Sequence, residues 1–227
     1  MSNNHLVLLP AVQLQATGRV IANFAWQHLQ AATLFRDHLA RLEAEHAGQE
    51  FSAFFEGIRC YGSACIMSAA ASLEALINEL FIAHGSKLRA QLTNFEVEFW
   101  GKRGIEWKPI LDKYQHALGM LGAPPFDESS SPYRDAWALI ELRNALVHYK
   151  PTWDPARKRQ TELAEVLEDR FPLSPFSDSC ADFVTLKCMS AGCANWAIST
   201  VITLVSEFDA RTNLDPKKIA AIRKLGL

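Results

Sequence analysis

The sequence lacks a strong excess of charge of either sign. Its 227 residues carry 23 lysines and arginines against 25 aspartates and glutamates, a formal net charge of −2. Proteins that wrap long nucleic acids usually have a basic excess, so this composition argues against an extended electrostatic footprint. With 49% apolar and 21% charged residues, the chain has enough apolar surface for a core and too little charge for global disorder. Any contact with nucleic acid is expected to be local and brief.

Long apolar runs and closely paired cysteines are also missing. No run reaches the roughly 18 residues expected of a membrane span, so no membrane contact is expected. The N-terminal apolar piece, Leu6–Leu9, is too short for a secretory signal and has no basic flank. The 5 cysteines form an odd set without a Cys-x-x-Cys pair, which indicates reduced thiols. The cytoplasm is the expected compartment.

Helical periodicity is the dominant pattern that is present. Apolar residues recur at spacings of three and four in several long segments, and no stretch shows the alternation of a half-buried strand. The fold class is therefore predicted to be all-α, with residues 1–227 forming a single domain. An N-terminal helix is expected within residues 14–48, and a short helix is expected in the tail, residues 214–227.

Gly and Pro residues help to set the expected boundaries of the main helices. The predicted helices run from near Ser52 to His84-Gly85, over Ile105–Leu118 with Pro109 in the first turn, over Tyr133–Tyr149, over Arg157–Arg170 and over Asp182–Phe208. Pro132 is expected at the start of the third of these, with Ser131 as its cap. The same helix should stop before Pro151, because a residue that precedes proline avoids helical geometry.

The predicted helix Tyr133–Tyr149 carries a narrow polar stripe on an otherwise apolar surface. At 100° per residue, Glu141, Asn144 and His148 fall within about 60° of one another, with Trp137 alongside. A helix that is apolar nearly all round is buried on more than one side. This helix is therefore expected to lie in a homodimer interface as well as against the core.

Arg143 lies in the apolar arc of this helix rather than in the polar stripe. An unpaired buried guanidinium is costly, so Arg143 is expected to be held by a carboxylate or by polar groups of a partner subunit. Glu74, at the edge of the apolar face of the long helix, is the candidate.

Each residue of the stripe has an ordinary structural explanation when it is taken alone. His148 suits a helix C-terminus electrostatically, Asn144 suits an exposed edge, and Arg143 suits a structural ion pair. Composition alone gives about 0.4 chance Arg–His pairs at this spacing. The combination of Arg, an immediately following Asn and a His at the end of an apolar helix is what points to function.

Residues 141–151, Glu-Leu-Arg-Asn-Ala-Leu-Val-His-Tyr-Lys-Pro, resemble the signature of HEPN domains. In that family an Arg is followed after four to six residues by a His, and an Asn often comes directly after the Arg. Residues 68–80 are similar to the long second helix of several HEPN groups. The resemblance covers residues 51–208.

The HEPN resemblance implies an up-and-down bundle of four to five core helices that dimerises, with two Arg–His motifs facing each other. Many members of the family are metal-independent endoribonucleases of defence and toxin–antitoxin systems, and others are silent binding modules. One toxin subgroup carries a modified Tyr two residues after the His. Lys150 occupies that position here, so this modification is not expected.

The chemistry of RNA cleavage matches these residue types. RNA carries its own nucleophile in the 2′-hydroxyl group, histidine suits both proton transfers, and arginine holds phosphate oxygens. Arg143, Asn144 and His148 are the candidate catalytic residues, with Glu74, Glu141 and Tyr149 in support.

The expected partners are RNA, a second copy of the chain and an antitoxin or other partner protein. No DNA, metal or cofactor is expected. The alternatives are a silent HEPN module that binds RNA, nucleotide or protein, and a structural interaction domain that uses its apolar helix face.

Overall fold

The computed structural model describes residues 23–83, 85–150, 158–177 and 182–215, together with residues 220, 222 and 224 near the end of the chain. Within these residues the fold is all-α and contains no strand, which confirms the predicted class. The helices are α1 (Phe24–Glu45), α2 (Phe55–Ile82), α3 (Lys87–Ala90), α4 (Phe95–Glu98), α5 (Ile110–Met120), α6 (Tyr133–Val147), α7 (Lys158–Leu167) and α8 (Ala191–Thr212). A 3₁₀ turn, Ile105–Trp107, precedes α5, and a π-helical turn, Phe183–Lys187, precedes α8.

The long helix α2 is the centre of the fold. Its contacts at both ends show that α1 lies antiparallel to it. The backbone N–H of Ala25, at the start of α1, donates to Glu79 Oε1 near the end of α2 at 3.0 Å. At the opposite end, the ring of His46 stacks on Phe54, with centroids 4.0 Å apart. The two helices therefore form a hairpin, and its apolar faces supply a large part of the core.

Helix α8 packs against α2 in the parallel sense. Gly62 lies against Met189, close to the start of both segments, and a Cβ at Gly62 would lie 3.1 Å from Met189 Sδ. The Cys65 thiol lies 3.8 Å from the carbonyl oxygen of Ala194 one turn later. The small residue at position 62 therefore allows the close approach of the two segments.

Helices α5 and α6 also pack against α2. The Tyr114 hydroxyl of α5 donates to the Leu73 carbonyl at 2.9 Å, and its ring meets Phe208 of α8 edge-on at 5.1 Å. Helix α6 lies antiparallel to α2, because Arg143 reaches Glu74 while Tyr149 lies near Cys60. The core consequently holds α2 among α1, α5, α6 and α8.

The prediction of one continuous helix over Asp182–Phe208 was wrong. The Asp182 carboxylate accepts hydrogen bonds from the backbone and hydroxyl of Thr185, at 2.7 and 2.8 Å, and caps the π-helical turn. Ser190 then takes extended geometry (φ −140°, ψ 152°), and its hydroxyl oxygen accepts from the Cys193 N–H to start α8. Two side-chain caps thus divide a segment whose apolar periodicity looks uninterrupted.

The other predicted boundaries shift in smaller ways. Helix α5 begins at Ile110, because Lys108 (ψ 148°) ends the preceding 3₁₀ turn and Pro109 (ψ 151°) continues in extended geometry. Helix α6 ends at Val147, two residues earlier than expected. Ser131 does not cap α6 through its side chain: its hydroxyl donates to Asp135 Oδ2 at 2.7 Å.

At both ends of the chain, some residues of the predicted helices lie outside the described residues. Helix α1 covers the part of the expected N-terminal helix that the structure describes, and residues 14–22 lie outside the described residues. Most of the predicted tail helix lies outside them as well. Helix α7 ends at Leu167 rather than at the expected Arg170.

One described helix, α2, is long and apolar enough by composition to cross a membrane. More than half of its most apolar window is buried against the rest of the fold. The central helix of a helical core passes the same test, so this is weak evidence for a span. The expectation of no membrane contact stays a prediction.

Candidate functional site

A cavity of about 610 Å³ lies between α6, the start of α5 and Glu74 of α2. Seven of its lining residues carry formal charges: the carboxylates of Glu74, Asp112, Glu128 and Glu141 and the cations of Lys108, Arg134 and Arg143. Tyr133 and Trp137 add aromatic surface. The cavity is therefore a mixed-charge site with aromatic walls, and its formal charges nearly balance.

Arg143 is held by an acidic partner, as the sequence predicts. Its guanidinium lies 3.8 Å from Glu74 Oε2, and the side chains are 25% and 46% exposed respectively. The separation exceeds the usual length of a charge-assisted hydrogen bond, so the contact is a loose ion pair. The arginine therefore lines the cavity beside one loosely paired carboxylate, and its N–H groups can donate to a further acceptor.

Glu141 and Asn144 lie together on the cavity side of α6. The Asn144 side-chain N–H group donates to Glu141 Oε1 at 3.4 Å, a long hydrogen bond. One turn before Glu141, the ring of Trp137 also lines the cavity, and the guanidinium of Arg134 lies 4.2 Å from its centroid. This half of the predicted polar stripe is thus brought to one site.

Lys113 is a buried cation close to this cavity that sequence reasoning missed. Its side chain is 1% exposed, and its ammonium donates to Asn78 Oδ1 at 3.0 Å. Burial lowers the pKa of this amine, and the carboxylates of Glu74 and Glu106 oppose part of that effect. Glu74 therefore balances two cations. The signal in the sequence was a lysine in the apolar stripe between Ile110 and Ala117.

His148 lies outside the cavity that contains Arg143. It is the C-terminal cap of α6, with φ −101° and ψ 25°, and its backbone N–H donates to the Asn144 carbonyl at 2.9 Å. Its side chain is exposed.

Tyr149 lies on a different part of the surface from the cavity. It lines a depression of about 320 Å³ between the end of α6 and the start of α2, together with Cys60 and Leu146. Tyr149 is 40% exposed and Val147 is 49% exposed. The end of α6 therefore presents an imidazole beside exposed aromatic and aliphatic surface.

The described geometry brings together four of the six predicted site residues: Glu74, Glu141, Arg143 and Asn144. The other two, His148 and Tyr149, do not line this cavity. Among the described residues, no group of three or more His, Cys, Asp or Glu side chains is arranged to hold a metal ion. The cavity offers charged and polar groups to a small ligand, and the exposed imidazole of His148 lies at the end of α6.

No family model, curated protein or solved structure matches the chain. The site residues themselves and the sequence resemblance therefore carry the functional argument.

Proposed function

We propose that the protein is a HEPN-type endoribonuclease that cleaves RNA without a metal ion. The 2′-hydroxyl group attacks the adjacent phosphorus, and the bond to the leaving 5′-oxygen breaks, which leaves a 2′,3′-cyclic phosphate. His148 takes or gives the proton, and Arg143 binds the phosphate oxygens. The observation that carries this proposal is the exposed imidazole of His148 five residues after an arginine that Glu74 holds in place.

Two proton transfers are needed for this reaction, one from the 2′-hydroxyl group and one to the leaving oxygen. The end of α6 supplies one imidazole per copy. A symmetric dimer through this helix end supplies two, one as base and one as acid. The exposed side chains of Val147 and Tyr149 beside His148 give such a dimer an apolar contact surface.

The loose pairing of Arg143 suits a phosphate-binding role. A bidentate carboxylate would occupy the guanidinium fork, whereas Glu74 approaches only to 3.8 Å. A phosphate group therefore competes with a weak partner. Asn144, next to Arg143 and one turn before His148, supplies an amide that orients the substrate or the helix end.

The decisive experiment incubates single-stranded RNA with excess EDTA and the wild-type protein, His148→Ala or Arg143→Ala. We expect cleavage with a bell-shaped pH profile, and a rate lower by about 10² to 10⁴ in the His148 variant, the usual scale for one acid–base group. The controls are His38→Ala, at an exposed histidine of α1, and Arg36→Ala, whose side chain is 23% exposed and paired with Asp37. Equal cleavage by all five proteins would refute the site.

A second candidate function is a silent HEPN module that binds RNA, nucleotide or a partner protein. The observation in its favour is that His148 is outside the cavity formed by Arg143 and Asn144. In the same assay, a folded dimer that binds RNA and cleaves none at any pH would select this function.

The HEPN resemblance also suggests a biological setting. We propose that the protein acts in antiviral defence or as a toxin that an antitoxin controls. Growth arrest on expression of the wild type, and its loss in His148→Ala, is the expected result. Growth arrest that persists unchanged in the variant would separate toxicity from the proposed chemistry.

A further inference from the structure

A second cavity, of about 430 Å³, lies between the segment of residues 91–108 and α5. Its charged lining consists of Arg103, Lys108 and Glu98, and His116 lines it as well. The Glu98 carboxylate accepts a hydrogen bond from the Asn94 backbone at 2.6 Å, where it closes the start of α4. The charge balance is therefore positive, in contrast to the cavity that contains Arg143.

The two cavities adjoin at Lys108, which lines both of them. This lysine is exposed, and the following Pro109 ends the extended connection into α5. An extended ligand that leaves the Arg143 cavity past Lys108 therefore reaches a region with a second cation, Arg103. Separate cations along one groove suit the successive phosphates of a nucleic-acid strand.

Trp107 directly precedes Lys108 and is 69% exposed, the largest exposed fraction among the large apolar side chains of the described residues. The backbone beneath it is fixed. The Glu106 N–H donates to the Phe99 carbonyl at 3.1 Å, and the Trp107 N–H donates to the Gly104 carbonyl at 3.2 Å. The indole is thus presented to solvent by an ordered turn.

Gly104 shows how tightly this turn is packed. A Cβ at this position would lie 2.4 Å from the Phe99 carbonyl oxygen, so only glycine allows the approach. A large aromatic side chain on a rigid turn loses little conformational freedom when a flat ligand stacks on it.

We infer that this surface, Arg103, Trp107 and Lys108, binds single-stranded RNA, with one base stacked on Trp107 and neighbouring phosphates on the two cations. The inference rests on the proposed RNA substrate and adds the place where the strand is held. Base stacking on aromatic side chains beside a cationic path is the general mode of single-strand binding. The small size of this surface agrees with the formal net charge of −2, because the chain has no excess of basic residues for a longer one.

The test measures binding apart from cleavage. A fluorescein-labelled oligouridylate of about ten nucleotides, within the usual site size for single-strand binding, is titrated with full-length His148→Ala protein and followed by anisotropy. Adding Trp107→Ala should weaken binding by about 5-fold to about 150-fold, the range expected for loss of one stacked base, and Trp107→Phe should restore most of it. Because Trp107 is exposed, thermal unfolding should be unchanged.

Salt dependence identifies the two cations. Arg103→Gln and Lys108→Gln should each weaken binding and reduce the slope of log K against log salt by about 0.7. Phe51→Ala, at an aromatic residue that is 57% exposed, and Arg41→Gln, at an exposed arginine of α1, are matched controls and should change nothing. Duplex RNA should not compete, because its bases are stacked inside the helix.

Each outcome separates the inference from the proposed function. Unchanged affinity in the Trp107, Arg103 and Lys108 variants, alongside cleavage that depends on His148, overturns the inference and leaves the function standing. Reduced affinity in these variants with no cleavage by the wild type supports the inference and overturns the function. Absence of binding by all proteins overturns the inference, and absence of cleavage by the wild type as well overturns both.

Discussion

Replacing Glu74 and Arg143 separately and together measures the coupling free energy of the ion pair at the cavity wall. At their separation of 3.8 Å, Coulomb's law gives about 1 kcal/mol in water and about 4 kcal/mol at an effective dielectric constant near 20. Glu74 is 46% exposed, so solvent screening moves the value toward the lower figure. We expect a coupling free energy of about 0.5 to 1 kcal/mol.

The single variants should not be equivalent. Glu74→Gln removes the carboxylate that faces both Arg143 and the buried Lys113, so it should cost more than the pair coupling, about 1 to 2 kcal/mol. Arg143→Met removes one charge but keeps an apolar stem of similar length, and we expect a cost below about 1 kcal/mol with the fold retained.

Urea denaturation followed by circular dichroism gives the four free energies of unfolding for this cycle. The control is the pair of Arg59 and Glu56 on α2, which lies at 3.4 Å with side chains 47% and 77% exposed. Its coupling should be about 0.2 to 0.5 kcal/mol. A Glu74–Arg143 coupling of zero would show that Glu74 does not hold the arginine, and one above about 3 kcal/mol would show a dry, desolvated pair.

Two further predictions concern assembly and pH. Val147→Glu should convert the proposed homodimer into a monomer, as measured by light scattering at micromolar concentration, whereas Val97→Glu, at a residue that is 63% exposed, should leave the assembly unchanged. A wild type that is monomeric at every concentration would contradict the proposed dimer and its shared site. Burial raises the pKa of the Cys65 thiol from 9.0 to about 12 and also raises that of Cys193, so the folded state keeps protons that the unfolded state loses. The free energy of unfolding should therefore fall as pH rises from 9.0 toward about 12, and Cys65→Ala should show a smaller fall in denaturation at several pH values.

Apolar spacing predicts the long helices well where packing continues along one face. Helix α2 begins three residues after the expected Ser52 and ends just before the expected stop at His84, because its apolar residues keep helical spacing throughout. The same signal misleads before α8. Leu186, Met189 and Cys193 keep a helical spacing across the break at Ser190. Side-chain caps at individual residues cause that break, and apolar periodicity does not reveal them.

The candidate site shows the same division between what sequence can and cannot predict. A guanidinium on an apolar helix face demands a carboxylate, so Glu74 could be chosen as the partner of Arg143 before any coordinates. The position of His148 depends instead on where α6 ends. On a helical wheel it lies 40° from Asn144, but in the structure His148 is the C-terminal cap of α6 and does not line the cavity.

The strength of the Glu74–Arg143 pair also affects how tightly the cavity can bind a phosphate group. Whatever free energy the pair contributes in the unbound protein is lost when a phosphate takes over the guanidinium. A coupling of about 0.5 to 1 kcal/mol lowers affinity by a factor of about 2 to 5, which one charge-assisted hydrogen bond of about 1.5 to 3 kcal/mol recovers. A closer, bidentate carboxylate would hold Arg143 more firmly and would also compete with a phosphate group. The loose geometry at 3.8 Å therefore positions the arginine at a small cost to binding.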